Sequence, residues 1–133
     1  WLCADATGPR ADYADGEGVC TEAWTSIAGM LEFRGVAGDA ARLPRVGEGG
    51  VYGFERDSRA LLLTNATASE REAVVETGLP DGTYCDVVSG GRGPVTDGCH
   101  GEKLTVTVKD GAIVTTIPAE SAVAIHLGSR LPE

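Results

Sequence analysis

Aromatic side chains are scarce in this chain: two Trp, three Tyr and two Phe among 133 residues, or 5%. A core therefore has to be built from Val, Leu, Ile and Ala. Basic charge is also short, with 11 Lys and Arg against 20 Asp and Glu, for a formal net charge of −9. That balance works against nucleic acid and anionic membranes as partners, because both are polyanions, and it favours solubility. No apolar run approaches the length that spans a bilayer. There is no Cys-x-x-Cys pair, no His-Glu-x-x-His and no serine in a nucleophile elbow. No lysine–serine pair follows Gly47-Glu48-Gly49-Gly50, so that run is not a phosphate loop.

What is present fits a small β-rich domain. The length allows one domain with its own core. Hydrophobic residues reach 42%, well above a disordered composition. The 19 glycines fit many tight turns. The four cysteines, Cys3, Cys20, Cys85 and Cys99, are widely spaced and even in number, which points to an oxidising compartment. Three pairings are open. The sequential one would close two loops, each stabilising by about 3 kcal/mol. A four-thiolate zinc site is disfavoured, since ligand pairs usually sit two to four residues apart. The opening Trp1-Leu2-Cys3, with no initiator methionine or charged leader, is expected of a mature or excised segment.

Residues 1–22 read as an irregular loop tied by Cys3 and Cys20. Residues 22–34 read as a helix, with Trp24, Ile27, Ala28 and Leu31 on one apolar face and Met30 and Phe33 widening it. Thr21 fits the N-cap, Glu22 the first turn and Gly35 the stop. A helix this short has to pack on something. Residues 35–50 look like a linker. Seven strands follow: 51–55, 59–65, 71–77, 83–88, 103–109, 112–117 and 121–127. Leu61-Leu62-Leu63 implies a strand buried on both faces, or one face under a helix. Leu104, Val106 and Val108 alternate with Thr105 and Thr107. Asp110-Gly111 is a strong hairpin signal, and Pro118 ends its strand. Val123, Ile125 and Leu127 share one face of the last strand; Ala122, Ala124 and His126 share the other. Short connections between so many strands predict an all-β fold, an antiparallel Greek-key sandwich with one short N-terminal helix. A closed barrel is the alternative.

The run Gly53-Phe54-Glu55-Arg56, then Ala60–Asn65, then Thr77-Gly78-Leu79-Pro80-Asp81-Gly82-Thr83-Tyr84-Cys85-Asp86-Val87-Val88-Ser89-Gly90 closely resembles the C-terminal β domain of α-amylases, glycoside hydrolase family 13. So does Ile117–His126. The nearest subgroup is the animal-like α-amylases also found in actinobacteria. Trp1-Leu2-Cys3, Cys20, Trp24, Ile27, Met30, Phe33 and Arg34 resemble the last helix region of that family's catalytic barrel. Two departures stand out: sixteen residues separate Cys3 from Cys20, and Glu22-Ala23 replaces a basic pair. The resemblance implies a Cys85–Cys99 bridge. It also implies residues 1–50 as a barrel-end remnant, residues 51–133 as the β domain, and a secreted parent that cleaves internal α-1,4 bonds of starch. Catalytic carboxylates, calcium and chloride would all sit in the upstream barrel, so no catalytic residue, metal or cofactor is expected in this chain.

The expected role is structural. Trp24, Ile27, Met30, Leu31 and Phe33 would pack against the upstream barrel. Self-association through the helix face is a second expectation for the isolated chain, and a stand-alone carbohydrate-binding or interaction module is a third. Asp12, Asp15 and Glu17 lack the oxygen ladder of a calcium loop. Asp81, Asp86, Glu70 and Glu72 read as surface carboxylates, and His100 and His126 as structural or surface groups. Among the rings considered for sugar stacking, which also include Trp24 and Tyr52, Tyr13 and Tyr84 are the candidates for weak glycan contact.

Overall fold

The computed structural model describes residues 25–88, 99 and 105–132. Helix α1 (Thr25–Ala37) is followed by eight strands: β1 (Arg42–Val46), β2 (Val51–Arg56), β3 (Ala60–Asn65), β4 (Arg71–Glu76), β5 (Gly82–Cys85), β6 (Thr105–Lys109), β7 (Ala112–Ile117) and β8 (Ser121–His126). They form two four-stranded sheets, ordered β1-β2-β3-β8 and β4-β7-β6-β5. Every ladder is antiparallel. In the second sheet β5, β6 and β7 follow as neighbours while β4 lies beside β7, which is a Greek key. The all-β sandwich expected from the sequence is the fold.

Period-two alternation places the core. Val51, Leu61, Leu63, Val123 and Ile125 of the first sheet meet Ala73, Val75, Val106, Val108, Ile113 and Ile117 of the second, all nearly or fully buried. The opposite face of the first sheet carries Ala60, Leu62 and Ala124, and α1 covers it with Phe33 and Ala37. The leucine triplet is thus split, with Leu61 and Leu63 inside the sandwich and Leu62 under the helix. Asp110 and Gly111, at φ 53° and 78°, make the β6–β7 turn as their types favour.

The span 35–50 is not a simple linker. It contains β1, which pairs with β2 from Arg42↔Arg56 to Val46↔Tyr52. Its burial alternates only between exposed and half-buried, and Pro44 sits at the sheet edge, where a missing N–H is tolerated. No apolar run therefore marks it. Helix α1 also continues beyond Gly35. It ends at Gly38, whose φ of 51° and N–H to the Arg34 carbonyl make the left-handed stop. The strand expected to reach residue 88 ends at Cys85. The chain then turns toward the other sheet, where the Val87 N–H donates to the Ala124 carbonyl.

The two sheets are joined at one end by a buried carboxylate. Glu55 on β2 is 1% exposed. It accepts from the Thr77 hydroxyl and from the backbone N–H of Gly78 (3.0 Å), just after β4. It also accepts from the Ser58 N–H (3.1 Å) and pairs with Arg45 (3.4 Å). Burial pushes its pKa up, but the hydrogen bonds from Thr77, Ser58 and Gly78 and the Arg45 charge outweigh burial and leave it below the usual value. A depressed carboxylate contributes stability that is present above the unfolded pKa and lost as pH falls through the folded one. Glu55→Gln should cost about 2–4 kcal/mol near neutral pH. It should also flatten the acid limb of the stability profile, as urea titrations at pH 7 and at mildly acid pH would show.

Candidate functional site

The residues singled out in sequence fall into separate places. Cys85 and Cys99 form a disulfide with Cα atoms 5.4 Å apart. Cys3, Cys20, Tyr13, Trp24, His100 and the Asp12, Asp15 and Glu17 group lie outside the described residues. Tyr84 is no platform for a sugar. Its ring is fully buried in the sandwich core and its hydroxyl donates to the Pro80 carbonyl at 2.6 Å. Its position on β5 beside Val106 of β6 points it inward. Tyr52, on the outer face of the first sheet, is instead 56% exposed. Asp86 is buried rather than a surface group: its carboxylate accepts from the Ala124 N–H (2.9 Å) and the Val88 N–H (3.2 Å). Among the described residues, no group of three or more His, Cys, Asp or Glu is placed to hold a metal ion.

Helix α1 has two faces, and they divide the expected apolar stripe. Gly29, Phe33 and Ala37 are buried and Met30 half-buried against the first sheet. Ile27 (39% exposed) and Leu31 (44%) look outward. The expected face mixed the two sets, because scarce polar residues blurred the helical period. Gly29 sets how closely the helix approaches: a Cβ there would stand 1.9 Å from the Val87 carbonyl oxygen. Phe33 packs edge-on against Phe54, with centroids 6.2 Å apart, and against His126 at 6.5 Å.

His126 lies under the same helix. Its Nδ1 accepts from the Gly128 N–H at 3.0 Å, closing a capping box on the turn Leu127–Ser129. Its Nε2 has no hydrogen-bond partner and sits 3.8 Å from the Glu32 carboxylate. Burial lowers its pKa from 6.5 to about 4.

A groove of about 490 Å³ opens beside the C-terminal half of α1. Met30, Phe33, Ala37 and Phe54 form its floor, and Arg34 and Arg56 stand at its rim. The Arg42 and Arg56 guanidiniums lie over the Phe54 ring, 4.9 and 5.9 Å from its centroid. Arg59 reaches the same corner, its Nη1 3.2 Å from where a Gly38 Cβ would be. Sequence reading missed this cluster because its members come from α1, β1, β2 and the β2–β3 turn. The helical spacing of Ile27, Leu31 and Arg34 was the one signal that could have hinted at it.

The Greek-key sandwich with one helix lying across a sheet has counterparts among known proteins. Residues 46–128 match the family described as "Alpha amylase, C-terminal all-beta domain", and this chain belongs to that family. It is 35% identical over 116 residues to an alpha-amylase of Hypothenemus hampei, covering 85% of this chain and 23% of that protein. It is 32% identical over 118 residues to the pancreatic alpha-amylase of Sus scrofa, covering 85% and 22%. The structure of alpha-amylase I from Eisenia fetida superposes with a TM-score of 0.70 at 28% identity, over 85% of this chain and 24% of that one. The chain thus spans about a quarter of the length of these relatives.

Two measurements check the helix seat. Gly29→Ala should destabilise by about 1–3 kcal/mol, the overpacking cost exceeding the gain in helix propensity, as read by denaturant midpoint. The lowered pKa of His126 means that the unfolded state binds the extra proton first. The His126 contribution to stability should therefore fall as pH drops from about 6.5 toward 4 and then level off, with the Glu55 loss following at lower pH. The His126 ring protons should titrate near 4 by NMR.

Proposed function

We propose that this chain is the C-terminal part of a secreted α-amylase whose upstream barrel hydrolyses internal α-1,4-glucosidic bonds of starch. The chain's own role is to cap and stabilise that barrel without taking part in the chemistry. The observation that carries this reading is the match of 46–128 to the C-terminal all-beta domain, in a chain that spans only about a quarter of its relatives. Ile27 and Leu31 face the upstream domain. Residues 1–50 bring the end of the barrel and residues 51–133 the β domain, and β1 ties the two by pairing with β2. The pairing of Cys3 with Cys20 belongs to the same reading, as do calcium and chloride sites in the barrel. The secreted location is supported by the pancreatic relatives and by the Cys85–Cys99 bridge.

A glycosidase needs two carboxylates flanking the scissile bond. The two buried carboxylates described in detail, Glu55 and Asp86, are both engaged by backbone N–H groups in structural roles. Exposed Tyr52 favours one second reading, a surface that touches glycan weakly.

The 133-residue chain should release no reducing sugar from soluble starch. The intact mass of the native source protein should exceed that of this chain by roughly 300 residues, the size of a barrel domain. Hydrolysis by the chain alone, or a native mass equal to its own, would overturn the reading. Retardation in starch-affinity gels that Tyr52→Ala abolishes would favour the second one.

A further inference from the structure

We propose that the arginine-rimmed groove beside α1 receives carboxylate side chains from the upstream part of the same polypeptide. The groove would be the ionic end of a contact whose apolar end is Ile27 and Leu31. The inference rests on the reading that α1 docks on an upstream domain, and it states the chemistry of what meets it there.

Three observations carry it. The first is helical spacing. Ile27, Leu31 and Arg34 stand at i, i+4 and i+7, so they form one outward stripe running from apolar to cationic toward the groove. A body that covers the first two residues comes within reach of the third. All of α1 is only about 20 Å long.

The second is unspent charge. Arg34, Arg42, Arg56 and Arg59 gather at one corner and hold 4 of the 11 basic residues of a chain with net charge −9. Among the described residues none of the four makes an ion pair, in contrast to Arg45, which pairs with Glu55. Arg56 donates to the Ala40 carbonyl, and Arg42 stacks on Phe54. Arg56 lines the groove and Arg42 lies over its Phe54 wall, and neither pairs with a described carboxylate.

The third is the cost of covering them. In water these guanidiniums are solvated. Under a docked domain they would lose that water, and a buried charge left unpaired costs several kcal/mol. Docking over this corner is therefore favourable only if carboxylates meet the arginines, as Arg–carboxylate forks do. The chain spans about a quarter of its relatives' length, which is the support for further polypeptide to supply those carboxylates.

The test uses the full-length protein and calorimetric unfolding. Arg34→Gln with Arg42→Gln should lower the transition midpoint by about 3–6 °C at low salt. The deficit should largely persist in 1 M NaCl, because pairs buried under the docked domain are screened much less than exposed ones. In the 133-residue chain alone the same pair should shift the midpoint far less. Arg34→Lys with Arg42→Lys keeps the charge but not the fork or the stacking, and should recover only part of the deficit, which guards against a variant that merely misfolds. No deficit at low salt, a deficit that 1 M NaCl abolishes as it would for exposed charges, or an equal shift in the isolated chain would overturn the proposal. Ile27→Ser with Leu31→Ser tests the underlying reading separately. It should lower the midpoint at both salt levels, and if it does nothing, docking through α1 fails as well. Concentration-dependent mass in light scattering, abolished by the Gln pair, would reassign the groove to a second copy of the chain and overturn the intramolecular pairing.

Discussion

The Glu55 carboxylate fastens the two sheets to one another at one end of the sandwich. It lies on β2 of the first sheet, yet two of its four partners, Thr77 and Gly78, belong to the segment leaving β4 in the second. Apolar packing between sheets is non-directional and would tolerate some sliding. A buried charge held by four donors does not, because any shift leaves it unsolvated and unpaired. Asn65 acts similarly at the far end, where its amide donates to the Ser69, Ile117 and Pro118 carbonyls. Asp86 adds a third tie by accepting from Ala124 on β8. With both ends pinned, the Val, Leu and Ile interior can be packed without the aromatic bulk that the composition lacks.

Helix α1 depends on that frame and adds a third layer. Its seat on the first sheet exists because Ala60, Leu62 and Ala124 are small or flexible on that face, and because Gly29 lets the backbone come close to Val87. The seat uses one side of the helix only. The other side carries Ile27, Leu31 and Arg34 into solvent beside the arginine-rimmed groove. A short helix with an apolar outer side is unfavourable in isolation.

Much of the scaffold was legible in order along the chain. The alternation of Val106 and Val108 with Thr105 and Thr107, the returning strand 112–117, the Asp110-Gly111 turn and the two-sided burial of the leucine triplet were all readable from period and turn chemistry. Strand β1 was not, because an edge strand of arginine and proline buries too little to show an apolar rhythm. The helix stop was placed at Gly35 rather than Gly38. Gly35 faces open space, and only the backbone at Gly38 adopts the left-handed conformation. Tyr84 read as a surface ring although the parity of its strand turns it inward.

Local sequence by itself determined most of the strands, the Asp110-Gly111 turn and which residues alternate, since these depend on neighbours within a few positions. Motif similarity added the family. Only the tertiary structure decided that Glu55 and Asp86 are internal fasteners rather than surface acids. It alone separated the seated side of α1 from the free one and gathered arginines from four segments around a single groove. Those outcomes depend on contacts between residues from ten positions apart, as Arg45 and Glu55 are, to the far ends of the described chain, as Phe33 and His126 are, and no local periodicity encodes where the chain brings such residues together.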